Sequence, residues 1–139
     1  AGDSYLAKWG GCSATASPWT NLGSSLPGVF GAPLLEGRGT MGAGTQNVLT
    51  LSNAAPSAVA ILFVAPSSLP TPFKGGIVLP DPIYSPTYGM TSASGKIKFR
   101  LILPASTPSG AQAWVQWGIA DAAAVKGVAL SNAVMGVSP

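Results

Sequence analysis

The chain contains four carboxylate side chains that could do chemistry, and it contains no histidine. Histidine is the commonest general base and the commonest metal ligand, so both kinds of site lack their usual residue. A pair of carboxylates can hydrolyse a glycosidic bond, but nothing in the spacing of these four favours any pair. We therefore predict no catalytic residue, no metal site and no cofactor. The carboxylates are Asp3, Glu36, Asp81 and Asp121.

Other reactive motifs are equally weak. The glycine-rich stretch GRGTMGAG (37–44) is not a P-loop, because no Gly-Lys-Ser/Thr follows it, and it does not match the dinucleotide fingerprint. The single cysteine, Cys12, has no histidine partner and no second cysteine for an intrachain disulfide, so we expect it to be buried or to pair between chains. Asp81, which lies between two prolines, and Asp121, which follows a predicted strand, are expected to be turn residues.

Two alternating segments supply the best binding candidates. In SGKIKFRLILP (94–104) and AQAWVQWGIA (111–120), apolar residues occupy every second position. Trp117 belongs to the apolar set and is expected in the core. The opposite, outward sets comprise Lys96, Lys98 and Arg100 in the first segment and Gln112, Trp114 and Gln116 in the second.

These segments are predicted to pair as an antiparallel hairpin. One register that keeps the apolar faces together places Arg100 opposite Trp114 and Lys98 opposite Gln116. A cation–π contact there would contribute about 0.5–1 kcal/mol. The resulting face could stack a sugar ring on Trp114, but a cross-strand packing pair or a subunit contact explains the same residues.

The elements that must position these residues are strands. Helical periodicity is weak, and short apolar or alternating runs are bounded by Pro, Gly, Ser and Asn. We predict one all-β domain over 1–139, an antiparallel β-sandwich of Greek-key or jelly-roll type with seven or eight strands and little helix. The Pro-rich stretches 67–76 and 80–89 and the region 10–30 are predicted as loops. The predicted strands are 4–9, 31–37, 46–53, 57–65, 75–79, 94–103, 111–120 and 127–137.

Two details refine this fold. AVAILFVA (58–65) is continuously apolar, which predicts a strand buried on both faces. The tetrapeptide LSNA occurs twice, at 51–54 and 130–133, and each copy is predicted to end a strand at an asparagine that tolerates turn geometry. The flanking sequences do not align further. We therefore interpret the repeat as the same tetrapeptide ending two different strands and not as a duplicated domain.

The low charge of the chain bears on its partners. Charged residues make up 8%, against about 25% in an ordinary soluble domain. Because charge keeps soluble monomers apart, this surface favours association with copies of the chain, although a neutral secreted monomer fits the composition too. The net charge of +3 rests on only seven Lys and Arg, which is too few to predict nucleic-acid binding. No apolar run reaches the roughly 18 residues needed to span a bilayer.

Several stretches resemble a large class of mostly uncharacterised, secreted β-rich modules of environmental bacteria. They are QAWVQWGIADAAAVKGVALSNAV near the C-terminus, LLEGRGTMGAGTQNVLTLSNAAPSAVAILF in the middle and WGGCSAT near the start. The resemblance implies secretion and a β-sandwich, and it brings no catalytic residues. Members of the class often have a second cysteine soon after the first, and NLGSSLPGV supplies none here, so a disulfide in this loop is absent. The start at Ala1 also fits a mature secreted protein, a recombinant fragment or a processed coat protein.

These features predict a non-enzymatic extracellular structural subunit that associates with copies of itself, as a filament or surface layer, through sheet edges and a terminal strand. The preferred donor is segment 1–9, with 128–137 as the second candidate. The assembly residues in the preferred donor are Tyr5, Leu6 and Trp9. The alternative is a carbohydrate-binding or adhesive module whose ligand-binding residues are Lys98, Arg100, Trp114 and Gln116. A third interpretation is a viral coat or appendage protein, which would also assemble from copies of an all-β subunit.

Overall fold

The computed structural model describes residues 18–81 and 87–139, and over these ranges the chain forms eleven β-strands and no helix. The predicted strand 4–9 and Cys12 lie outside the described residues. The strands are β1 (Trp19–Gly23), β2 (Leu34–Arg38), β3 (Gln46–Ser52), β4 (Val59–Ala65), β5 (Ser68–Phe73), β6 (Gly76–Pro80), β7 (Thr87–Met90), β8 (Ile97–Ile102), β9 (Gln112–Ala120), β10 (Val128–Leu130) and β11 (Ala133–Val137).

The strands form two sheets and a separate hairpin, and all of their pairings are antiparallel. The large sheet has the order β1-β11-β9-β4-β7, with β10 also paired to β9. The small sheet has the order β2-β3-β8, and β5 pairs with β6. The chain crosses between the two sheets after β1, after β3, after β7 and after β8. The predicted all-β antiparallel sandwich is confirmed.

The predicted number of strands is wrong, because the structure has eleven rather than seven or eight. Strands β1, β5 and β7 lie in stretches whose Pro and Gly content predicted loops. Strand β5 accommodates Pro70 and Pro72 because β6 is its only partner among the described strands, so one edge needs no backbone donor. The predicted strand 127–137 is divided at 131–132 into β10 and β11.

The main core lies between the two sheets. From the small sheet, Leu35, Leu49 and Leu51 are fully buried, with Ile97, Phe99 and Leu101 packed against them. The alternation predicted for β8 is therefore confirmed, since Lys98 and Arg100 on the other face are exposed. The inward residues of the large sheet are Ala60, Leu62, Val115, Trp117, Ile119 and Val134, which confirms Trp117 as a core residue.

The β5–β6 hairpin forms a third layer on the opposite side of the large sheet. Phe73 of β5 meets Phe63 of β4 edge to face, with ring centroids 6.0 Å apart and an interplanar angle of 76°. Val78 and Leu130 complete this second cluster. Because Leu62 is buried in the main core and Phe63 under the hairpin, β4 is covered on both faces, as its continuous apolar run predicts.

The predicted hairpin between 94–104 and 111–120 is wrong. Strand β8 pairs with β3, placing Arg100 opposite Val48, while β9 pairs with β4, β10 and β11. After β8 the chain stays tied to the small sheet, since Leu103 N–H donates to the Thr45 carbonyl at 3.0 Å, and it then crosses to the large sheet. The apolar faces of both strands still meet, but they meet face to face across the core. Alternation specifies which face of a strand is buried, but it does not specify which strand pairs with it.

The two LSNA copies both lie at the end of a strand, as predicted, since β3 ends at Ser52 and β10 at Leu130, but their asparagines behave differently. Asn53 adopts a left-handed φ of 61°, and its exposed amide donates to the carbonyls of Phe30 and Ala32. Asn132 is buried between β10 and β11, where its side chain accepts from Leu35 N–H at 2.7 Å and donates to the Leu35 carbonyl at 3.0 Å. The first copy therefore shapes a turn, whereas the second joins the large sheet to the small one.

Candidate functional site

The four predicted ligand-binding residues are divided between two sheets. Lys98 and Arg100 lie exposed on β8 of the small sheet, whereas Trp114 and Gln116 lie on β9 of the large sheet. The two pairs therefore do not share a face, and the predicted cation–aromatic platform is not formed. The prediction failed with the hairpin on which it depended.

Gln116 is a buried structural residue and not part of an exposed face. It has no solvent-accessible surface, because the β5–β6 hairpin covers that side of β9. Its Oε1 accepts from Leu79 N–H at 3.0 Å, and its Nε2 donates to the carbonyls of Ile77 at 3.1 Å and Ser131 at 3.0 Å. Gln116 therefore fastens the third layer to the large sheet.

Trp114 occupies a half-buried position within the large sheet. In the register of that sheet it lies between Ala65 of β4 and Met135 of β11. Trp114 therefore lies on a different sheet from Lys98 and Arg100. Its proposed sugar stacking stays a prediction.

The outer side of the small sheet carries what we call the cationic face, made of Glu36, Arg38, Val48, Thr50, Lys98 and Arg100. Arg38, Val48 and Arg100 form one cross-strand row, and Glu36, Thr50 and Lys98 form the adjacent row. All of these residues except Arg100 line a groove of about 410 Å³. Glu36 and Arg38 were not predicted as site residues, although their spacing of two residues in LLEGR places them on one face of a strand.

The second candidate surface is the β7 edge, residues Thr87–Met90 at the end of the large sheet. Just after the strand, Thr91 N–H donates to the Ala58 carbonyl at 2.8 Å. Backbone groups of an antiparallel strand alternate in direction, so Gly89 also faces β4, while Tyr88 and Met90 turn their N–H and C=O groups outward. Their side chains are 70% and 63% exposed.

The other sheet edges carry protective features that β7 lacks. Charged residues and bulges discourage edge-to-edge pairing. Strand β2 carries Glu36 and Arg38, strand β8 carries Lys98 and Arg100, and β1 has an irregularity in its register between Asn21 and Gly23. Strand β7 has the uncharged sequence TYGM and regular pairing with β4. It is therefore the least protected of these edges.

Comparisons with known proteins give no significant match to a family model, a curated protein or a solved structure. In residues 18–81 and 87–139, no helix is long and apolar enough to cross a bilayer. The same ranges hold no cluster of three His, Cys, Asp or Glu side chains placed to bind a metal ion. Function must therefore be inferred from the two surfaces described above.

The described carboxylates lie in three different settings. Asp121 accepts from the backbone N–H groups of Val29 at 2.8 Å and Ala123 at 2.9 Å, which confirms its prediction as a turn residue. Glu36 lines the groove of the cationic face, on one outer layer. Asp81 lies just after β6, on the opposite outer layer, where it lines a small apolar cavity of about 170 Å³. Glu36 and Asp81 are thus separated by the whole sandwich.

Proposed function

We propose that this protein is a non-enzymatic extracellular structural subunit that associates with copies of itself through the β7 edge. The observation that carries the proposal is an uncharged strand edge with outward backbone groups and two exposed apolar side chains, Tyr88 and Met90. An edge strand that no other described strand covers is a template for pairing with a second chain. Burying Tyr88 and Met90 against a copy would also remove apolar surface from water.

The alternation along β7 suggests one register for this contact. If two copies pair antiparallel about a two-fold axis at Gly89, Tyr88 of each copy lies opposite Met90 of the other. No described strand pairs with the outward backbone groups of these two residues, so the two copies would exchange four N–H···O=C bonds. Gly89 meets its own counterpart at the closest approach of the strands, where the absence of a side chain helps. The pairing joins two six-stranded sheets into one continuous sheet.

A polymer needs a second contact in addition to this two-fold pairing. Strands β10 and β11 are held by β9, and β11 also by β1, so 128–137 is not available as a donated strand. Segment 1–9, with Tyr5, Leu6 and Trp9, lies outside the described residues and remains our proposed donor. The separation of the described carboxylates supports a non-enzymatic role.

We expect Met90→Lys to weaken association strongly. A lysine at this position places charge on the β7 edge, and two-fold pairing would bring the charge of each copy against the other. Because a residue of this exposure contributes little to folding, the variant should keep the stability of the parent within about 0.5 kcal/mol. Sedimentation over a range of protein concentrations gives the mass of the particles in solution. The particle mass of the parent should rise above that of a monomer as the concentration increases. The particle mass of the variant should stay lower at each concentration.

The matched control is Ile102→Lys, which introduces the same charge at an apolar residue that is 68% exposed on the β8 edge. We expect it to associate like the parent. A parent protein that sediments as a monomer at every concentration would remove the proposal. Loss of association in Ile102→Lys but not in Met90→Lys would move the contact from β7 to β8.

A further inference from the structure

The cationic face has a charge pattern that self-association does not explain. The face holds three of the chain's seven Lys and Arg side chains, Arg38, Lys98 and Arg100, and a fourth, Lys96, is exposed one residue before β8. A single acid, Glu36, lies among them. In a chain with 8% charged residues, this concentration on one side of one small sheet marks a surface for an anionic partner.

The sheet register fixes how these charges are spaced. Arg38 and Arg100 occupy one row with Val48 between them, so their backbones are about 10 Å apart, two strand spacings. Lys98 lies in the adjacent row, about 7 Å along its strand from Arg100. This spacing allows the cations to engage separate anionic groups at once. Arg38 and Lys98 line the groove of about 410 Å³ described above.

We propose that the cationic face binds an acidic polysaccharide whose repeating sugars carry carboxylates. The planar guanidinium groups of Arg38 and Arg100 suit carboxylates, which they can bind through two parallel hydrogen bonds. Thr50, which lines the groove from the central strand β3, can donate to or accept from a sugar hydroxyl. Glu36 can accept from sugar hydroxyls in the same groove, so the one acid among the cations also has a partner in this class of ligand.

The same residues disfavour a nucleic acid as the partner. Proteins that bind single strands combine cations with aromatic side chains on which bases stack. Among the described residues that line the groove there is no aromatic ring, since they are Glu36, Arg38, Val48, Thr50 and Lys98. A phosphodiester backbone offers no hydroxyl donor for Glu36 in DNA, so this carboxylate would only repel it.

The affinity of the full chain for polygalacturonate is measured at low ionic strength. Every protein in this test carries Met90→Lys, so that association between copies does not amplify binding. We expect the double variant Lys98→Gln/Arg100→Gln to bind at least about tenfold more weakly, because two charge-assisted contacts are lost. The matched control, Lys74→Gln/Lys126→Gln, removes the same charge from residues outside the cationic face and should change affinity by less than about twofold.

Glu36→Gln supplies a test that loss of structure cannot imitate. Removing the only acid of the face should strengthen polygalacturonate binding by about two- to fivefold, because a repulsive charge disappears. Neutral dextran should not bind, and single-stranded DNA should bind more weakly than polygalacturonate. Equal weakening by both double variants, stronger binding of the DNA, or no binding of polygalacturonate would each overturn the proposal. Each of these results leaves the β7 contact unaffected, since it lies on the other sheet.

Discussion

Gln116→Leu is expected to lower the free energy of unfolding by about 3–4 kcal/mol, although the two side chains have similar volumes. Leucine removes the side-chain partner of three backbone groups whose hydrogen bonds to Gln116 are buried or partly buried. They are the Leu79 N–H and the carbonyls of Ile77 and Ser131. Each buried polar group that loses its hydrogen bond costs about 1–3 kcal/mol. Urea unfolding curves give the loss directly.

The control for this change lies four residues earlier on the same strand. Gln112 is exposed, so Gln112→Leu should shift the free energy of unfolding by no more than about 0.5 kcal/mol. Hydrogen exchange adds a second reading. In Gln116→Leu the amides of β6 should exchange faster than those of β3, because the hairpin layer loses its link to β9. If both variants unfold like the parent, Gln116 does not fasten the third layer.

Asn132→Asp is expected to cost about 2–4 kcal/mol. The substitution keeps an oxygen that accepts from Leu35 N–H but replaces the amide nitrogen by a second oxygen. That oxygen would face two acceptors, the Leu35 carbonyl and Asn21 Oδ1. The site is only 5% exposed, so water cannot replace the lost donor, and a charge is buried as well. Urea unfolding again provides the measurement.

The first LSNA copy provides an internal control for this prediction. Asn53→Asp makes the same chemical change, and it also removes two donated hydrogen bonds. Because Asn53 is exposed, water can satisfy the groups that lose these bonds, and we expect a cost below about 1 kcal/mol. Equal costs at the two sites would contradict the assignment of Asn132 as the link between the two sheets.

The fold class could be predicted because alternation reports burial directly. Ile97 and Phe99 face the core and Lys98 and Arg100 face water, as the period of two requires. The hairpin prediction failed because pairing partners depend on how the chain crosses between sheets, and no local pattern encodes that crossing. Strands β5 and β7 were missed for a related reason. Prolines in and near them suggest loops, but edge strands tolerate prolines that central strands do not.

The candidate site was predicted in part. Lys98 and Arg100 are exposed on a cationic sheet face, and Arg38 joins them from a strand 60 residues away in sequence, which only the β2-β3-β8 order reveals. Gln116 follows the outward pleat of β9 but is buried, because a third layer covers that face. A pleat pattern separates the two faces of a strand. It does not tell which of them remains in contact with water.

The β7 contact is tested most directly by disulfide trapping with Gly89→Cys in a Cys12→Ser background. In an antiparallel pair centred on Gly89 the two backbones approach to about 4.5 Å, within the range of about 4.4–6.8 Å that a disulfide spans. A Cβ fits at residue 89, since its nearest neighbouring atom, Ile97 Cδ1, would lie 3.7 Å away. Val125→Cys, at a residue that is 69% exposed between β9 and β10, reports random collisions.

We predict that mild oxidation converts Gly89→Cys to a covalent dimer while Val125→Cys stays largely monomeric on a non-reducing gel. Adding Met90→Lys to Gly89→Cys should abolish the dimer. Cross-linking that is equal in the two cysteine variants, or that is absent from Gly89→Cys, would contradict pairing of β7 with its own copy.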